Sequence, residues 1–125
     1  MSREAIPLTS TARSEAEAGL SVEVRSPYDG LVEICAVGCL DLNTAERLRK
    51  TLDATIEDAS VKMLVIVLRG LTFVDSSGLG VLLRAQRRAR KADVGIVLAA
   101  PSPVFVRVLH LCELEEDFTI VAGLS

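Results

Sequence analysis

The period of the hydrophobic pattern changes along the chain, and each change marks an element. From Leu20 the alternation Ser-Val-Glu-Val-Arg predicts a strand with one exposed face. Pro27-Tyr28-Asp29-Gly30 is a turn signal, because an Asp-Gly pair suits the positive φ of a tight hairpin; Leu31 to Val37 is the return strand, and Gly38 follows it. Ala45, Leu48, Leu52 and Ile56 then recur at helical spacing, while Arg47, Arg49, Lys50 and Asp53 point away from that face. Asn43 with Glu46 predicts a capping box at the start of this helix, and Asp58-Ala59-Ser60 its end. Met63 to Leu68 is a continuous apolar run, the pattern of a strand buried on both faces. Val81 to Lys91 returns to helical spacing with basic residues mixed in, and Ala92-Asp93 turns the chain into a second apolar strand, Val94 to Ala99. Ser102-Pro103 opens a third helix, serine as cap and proline in the first position, with Val104, Val108 and Leu111 on one face. Glu113 to Asp117 is an acidic connection, and Phe118 to Val121 a short last strand.

Strands that alternate with helices pair in parallel through right-handed crossovers. The hairpin at the start adds an antiparallel edge. The expected fold class is therefore α/β, a mixed sheet with an N-terminal antiparallel hairpin, then parallel strands, and helices packed on it. Residues 20–125 form a single domain of a size that supports a real core. Residues 1–19, rich in Ser, Thr, Ala and Glu without sustained periodicity, are expected to be a flexible tail.

Composition narrows the function classes. No apolar run approaches the roughly 20 residues of a membrane span, and no signal peptide opens the chain, so a cytoplasmic protein without membrane insertion is expected. A net charge of −3, no Trp and one Tyr argue against nucleic-acid binding. Cys35, Cys39 and Cys112 are too few and too irregular for a disulfide framework, and with the single His110 they do not make a metal site. Cys35 and Cys39, about 13 Å apart in a regular strand, cannot bridge each other. No cofactor is expected.

The candidate chemistry lies in Leu71 to Gly80, Leu-Thr-Phe-Val-Asp-Ser-Ser-Gly-Leu-Gly, between the buried strand and a helix. Asp75, Ser76 and Ser77 are all capable N-caps. Exposed hydroxyls at the positive end of a helix dipole are a place where an added phosphate is tolerated, which makes a serine here a candidate switch. Gly78 and Gly80 each cost up to about 1 kcal/mol relative to Ala in a helix, a cost that a close approach to the backbone there would explain. Asp75, Ser76 and His110 have the residue types of a hydrolase triad, but the Gly-x-Ser-x-Gly elbow is absent, and so is the phosphate-loop spacing. No enzyme is expected. The basic group Arg84, Arg87, Arg88, Arg90 and Lys91 is either a solvated face or a docking face for an acidic partner.

Val74-Asp75-Ser76-Ser77-Gly78-Leu79-Gly80 resembles the signature of the anti-sigma-factor antagonists, single STAS domains of bacteria. Val37-Gly38-Cys39-Leu40-Asp41 with Thr44-Ala45, and Ser102-Pro103 with Arg107 to Leu114, resemble two further elements of that family in the same order. The resemblance runs from about Ser21 to Val121. It implies a STAS fold and a partner-switching circuit that regulates sigma-factor-dependent transcription. In it an anti-sigma factor with serine kinase activity phosphorylates Ser76, and a serine phosphatase resets it. Asp41, Asp75, Ser76, Ser77, Gly78, Leu79 and Gly80 would then form the partner surface, and a weak homodimer is compatible with it. Cys39 and Val67 depart from the family, which usually carries Glu and Asp or Asn there. The alternative is a STAS interaction subunit of another complex, stressosome-like or in a lipid-transport ATPase, without a phospho-switch.

Overall fold

The computed structural model describes residues 13–15 and 19–122. Strand β2 (Leu20–Tyr28) and strand β3 (Leu31–Leu40) form the predicted antiparallel hairpin around Asp29 and Gly30, with Gly30 at φ +82°. A short strand β1 (Arg13–Glu15) pairs antiparallel with β2, so three residues of the stretch assigned to a tail join the sheet edge. The rest of residues 1–18 lies outside the described residues. The chain continues with α1 (Ala45–Glu57), β4 (Met63–Val67), β5 (Leu71–Val74), α2 (Ser76–Lys91), β6 (Gly95–Ala99) and α3 (Pro103–Leu111). A 3-10 turn at Glu115–Asp117 leads into β7 (Ile120–Val121).

The sheet order is β1-β2-β3-β4-β6-β7, with the pairings from β3 onward parallel. This is the mixed α/β architecture expected from the element order. One core joins the alternate inward residues Ile34, Ala36, Leu64, Ile66, Ile96 and Leu98 to the buried faces of the three helices. Leu48 and Leu52 of α1, Leu82 of α2 and Phe105 of α3 are almost wholly buried there, each stabilising the fold by about 1.5–3 kcal/mol through apolar burial.

One element differs from the sequence pattern in a way that positions the site. The return strand does not stop at Val37; it runs to Leu40 through an irregularity at Gly38 (φ +112°), where a Cβ would meet the Gly19 carbonyl oxygen at 2.1 Å. β4 covers only Leu31 to Cys35 of this long strand. Gly38 to Leu40 would be left with unpaired backbone groups, and Leu71–Val74 fills that edge as a parallel strand of its own. The Gly38 amide donates to the Gly70 carbonyl at 2.9 Å. The Leu71–Val74 segment is thus bound into the sheet and delivers α2 beside the end of β3.

Candidate functional site

At the end of β5 the Asp75 amide donates to the Leu40 carbonyl at 3.2 Å, which holds the start of α2 against the start of the β3–α1 loop. Asp75 is extended, and its carboxylate accepts from the Gly78 amide at 3.1 Å. Of the three capable caps, Asp75 therefore does the capping. Ser76 is the first helical residue, exposed, and among the described residues its hydroxyl has no hydrogen-bond partner. Ser77 is half-buried.

The glycines of this turn have different reasons. A Cβ on Gly78 would lie 2.6 Å from Leu40 Cγ and 2.9 Å from the Leu40 carbonyl oxygen, so the close approach made there is by the protein's own core. Leu79, 3% exposed, is a core residue as well. Gly78 and Leu79, expected on a partner surface, thus contribute no side chain to one; they seat the helix that displays Ser76. Gly80 is exposed, and a Cβ there would meet nothing within 4 Å.

The neighbouring β3–α1 loop is built on Asp41 and Thr44. One Asp41 carboxylate oxygen accepts from the Asn43 amide (2.9 Å) and the Thr44 amide (3.2 Å), an Asx-type turn that satisfies two backbone donors ahead of the helix. Thr44, fully buried, donates its hydroxyl to the Cys39 carbonyl at 2.8 Å and accepts from the Asp41 amide at 2.9 Å. The predicted Asn43–Glu46 capping box does not form: Thr44 holds the cap position without a side-chain cap bond, and Glu46 pairs with Arg49 instead. Asp41 takes over one of the two donors that such a box would have served, the Asn43 amide.

Two apolar side chains near this end were not singled out from the sequence: Leu42 is 75% exposed in the loop between Asp41 and Asn43, and Phe73 of β5 is 47% exposed. An apolar residue inside a polar Asp-Leu-Asn loop was the available signal for Leu42. Cys39 is in register with Phe73, its sulfur 3.9 Å from the Thr72 hydroxyl. Val67 ends β4 in register with Cys35 and Ala99. The Cys35 thiol is pushed up from its usual range, chiefly by burial and then by Glu23. All three cysteines are free. His110 is engaged by Glu115 at the surface rather than by Ser76, and that hydrogen bond holds the Glu115 carboxyl below its usual range.

Behind the site, α1 and α2 are joined by an ion-pair ladder. Asp53 lies 2.8 Å from Arg49, 3.3 Å from Arg88 and 4.0 Å from Arg84, and Arg88 reaches Glu57 at 2.8 Å. Among the described residues no helix is long and apolar enough to cross a membrane. None of their His, Cys, Asp and Glu side chains cluster in the threes a metal site needs.

A protein-family model of the STAS domain matches residues 27–125. An anti-sigma F factor antagonist of Lysinibacillus sphaericus is 32% identical over 83 residues, 66% of this chain and 71% of the relative. The crystal structure of an anti-sigma factor antagonist from Mycobacterium paratuberculosis is similar with a TM-score of 0.75 at 28% identity, over 84% of this chain and 87% of that one. The Bacillus cell fate determinant SpoIIAA in its phosphorylated form has the same fold, with a TM-score of 0.64 at 24% identity over 79% of this chain and 89% of that one. The family match covers the parallel strands, all three helices and the Asp75–Gly80 turn, and the chain belongs to the STAS domain family.

Proposed function

We propose that this chain is an anti-sigma factor antagonist. It binds an anti-sigma factor with serine kinase activity while Ser76 is unmodified, and is released when Ser76 is phosphorylated; a serine phosphatase resets it. The observation that carries the reading is the Ser76 hydroxyl, exposed and without a hydrogen-bond partner among the described residues, at the first position of α2 while Asp75 does the capping. The fold thus has no need of this hydroxyl as a helix cap, and a kinase can reach it. The names of the relatives in L. sphaericus and M. paratuberculosis support antagonism, and the phosphorylated form of SpoIIAA supports a phospho-switch.

The physics of release is local. A phosphate adds roughly −1.5 to −2 charges next to Asp75. A partner surface shaped for a neutral hydroxyl must then desolvate that charge and meet its repulsion, and juxtaposed like charges cost several kcal/mol. No refolding is needed, because Asp75 keeps the cap.

The test is incubation of the pure protein with ATP and each histidine-kinase-like anti-sigma factor of its source organism, with phosphate mapped by mass spectrometry and Ser76→Ala as control. One phosphate on Ser76 is expected, with binding lost by about 100-fold or more in the phosphorylated form and in Ser76→Asp. Absence of modification, together with binding indifferent to Ser76→Asp, would overturn the reading.

A further inference from the structure

The outer face of α2 continues from Ser76 as one strip. Gly80, Arg87, Arg90 and Lys91 follow Ser76 by 4, 11, 14 and 15 residues, which at about 100° per residue places them within roughly 60° of one line along the helix. All five positions are exposed. The helix holds five of the chain's 14 basic residues and no acidic one, while the remainder of the chain has an excess of acid. Its charge is therefore concentrated against the net charge of the molecule.

Local structure accounts for only part of that concentration. Arg84 and Arg88 face Asp53, and Arg88 also reaches Glu57. Arg88, Arg90 and Lys91 lie in the last turn, where a helix dipole favours cations. Arg87 has neither explanation: it stands before the last turn, and among the described residues Arg87, Arg90 and Lys91 make no ion pair. Three unneutralised cations side by side on one exposed face match a partner of opposite sign.

We propose that this strip is the second half of the partner interface, and that the anti-sigma factor presents an acidic surface to Arg87, Arg90 and Lys91. The inference rests on the reading of Ser76 above and deepens it. Arg87 lies about 16 Å along the helix from Ser76, twice the Debye length of about 8 Å at physiological salt. The two ends therefore act separately. A phosphate on Ser76 is not neutralised by Arg87, Arg90 or Lys91, and an acidic partner surface that the far end attracts is repelled at the near end.

The experiment measures association of the chain with each anti-sigma kinase of its source organism by stopped flow, as a function of NaCl. It compares wild type, the triple variant Arg87→Ala/Arg90→Ala/Lys91→Ala, the charge-preserving pair Arg87→Lys/Arg90→Lys, and Ser76→Asp, with thermal melts confirming that each is folded. The triple variant is expected to associate about tenfold more slowly at low salt, with a flatter salt dependence, and to converge on wild type at high salt. The lysine pair should keep the wild-type rate. In the kinase reaction the triple variant should raise KM for this chain and leave kcat unchanged, since the strip is remote from the hydroxyl.

An unchanged association rate and salt slope in the triple variant would overturn the strip, even with Ser76 phosphorylated normally. A triple variant impaired in binding, alongside a harmless Ser76→Asp, would instead overturn the switch and leave the strip standing. A duplex DNA or phosphatidylserine vesicles bound through these residues more tightly than any anti-sigma factor would overturn the acidic protein as occupant. Failure of every anti-sigma factor to bind would overturn both readings.

Discussion

Gly78 and Gly80 stand two residues apart in the first turns of α2, on opposite faces of the same helix. On the inner face, Gly78 lets the helix settle on Leu40, where a methyl group would overlap both a side chain and a backbone oxygen. On the outer face, Gly80 meets open space. The fold uses one glycine and leaves the other unexplained, although both carry the same intrinsic penalty in a helix. The difference separates residues that position Ser76 from residues that stay open to solvent beside it.

The largest effect on stability is expected at the inner face. Overpacking against Leu40 in Gly78→Ala should cost about 3 kcal/mol, the upper end for an inserted methyl that meets a backbone oxygen, and the gain in helix propensity of up to about 1 kcal/mol offsets only part of it. Thermal melts should fall by several degrees, at about 4 °C per kcal/mol for a chain of 125 residues. A Gly78→Ala protein as stable as wild type would break the comparison. Thr44→Val ranks next. It leaves the half-buried Cys39 carbonyl and Asp41 amide without their hydroxyl partner, which costs about 1–3 kcal/mol, and denaturant unfolding measures it directly.

The smallest stability effect has the opposite sign. Gly80→Ala should raise stability by about 0.5–1 kcal/mol, because the helix gains propensity and nothing is displaced. If a partner approaches this backbone, the same variant should bind the anti-sigma factor about tenfold more weakly by calorimetry. More stable yet weaker in binding is the signature of a residue kept for an interface; more stable with unchanged binding would remove Gly80 from it.

Much of the fold was legible because its signals are local. The parallel strands show as the apolar runs Met63–Leu68 and Val94–Ala99, and α3 announces itself through Ser102, whose hydroxyl accepts from the Phe105 amide as a cap should. The start of α1 was misjudged because Asn43 and Asp41 are both competent to satisfy its first donors, and sequence spacing does not choose between them. β5 was missed as a strand for a related reason: four residues with an interrupted burial pattern, Leu71 and Val74 in and Thr72 and Phe73 out, have no strong period of their own.

By itself the sequence determined the order of the elements other than β1 and β5, the mixed sheet and the Asp-Ser-Ser-Gly turn at the head of a helix, since side-chain period and capping chemistry act within a few residues. Only the tertiary structure decided that Asp75 is the cap, that Gly78 is packed and Gly80 free, and that Arg84 and Arg88 are paired with α1 while Arg87 is not. Those outcomes depend on contacts between segments tens of residues apart. Whether a serine is spent on its own helix or left for another molecule is settled by what stands beside it in space.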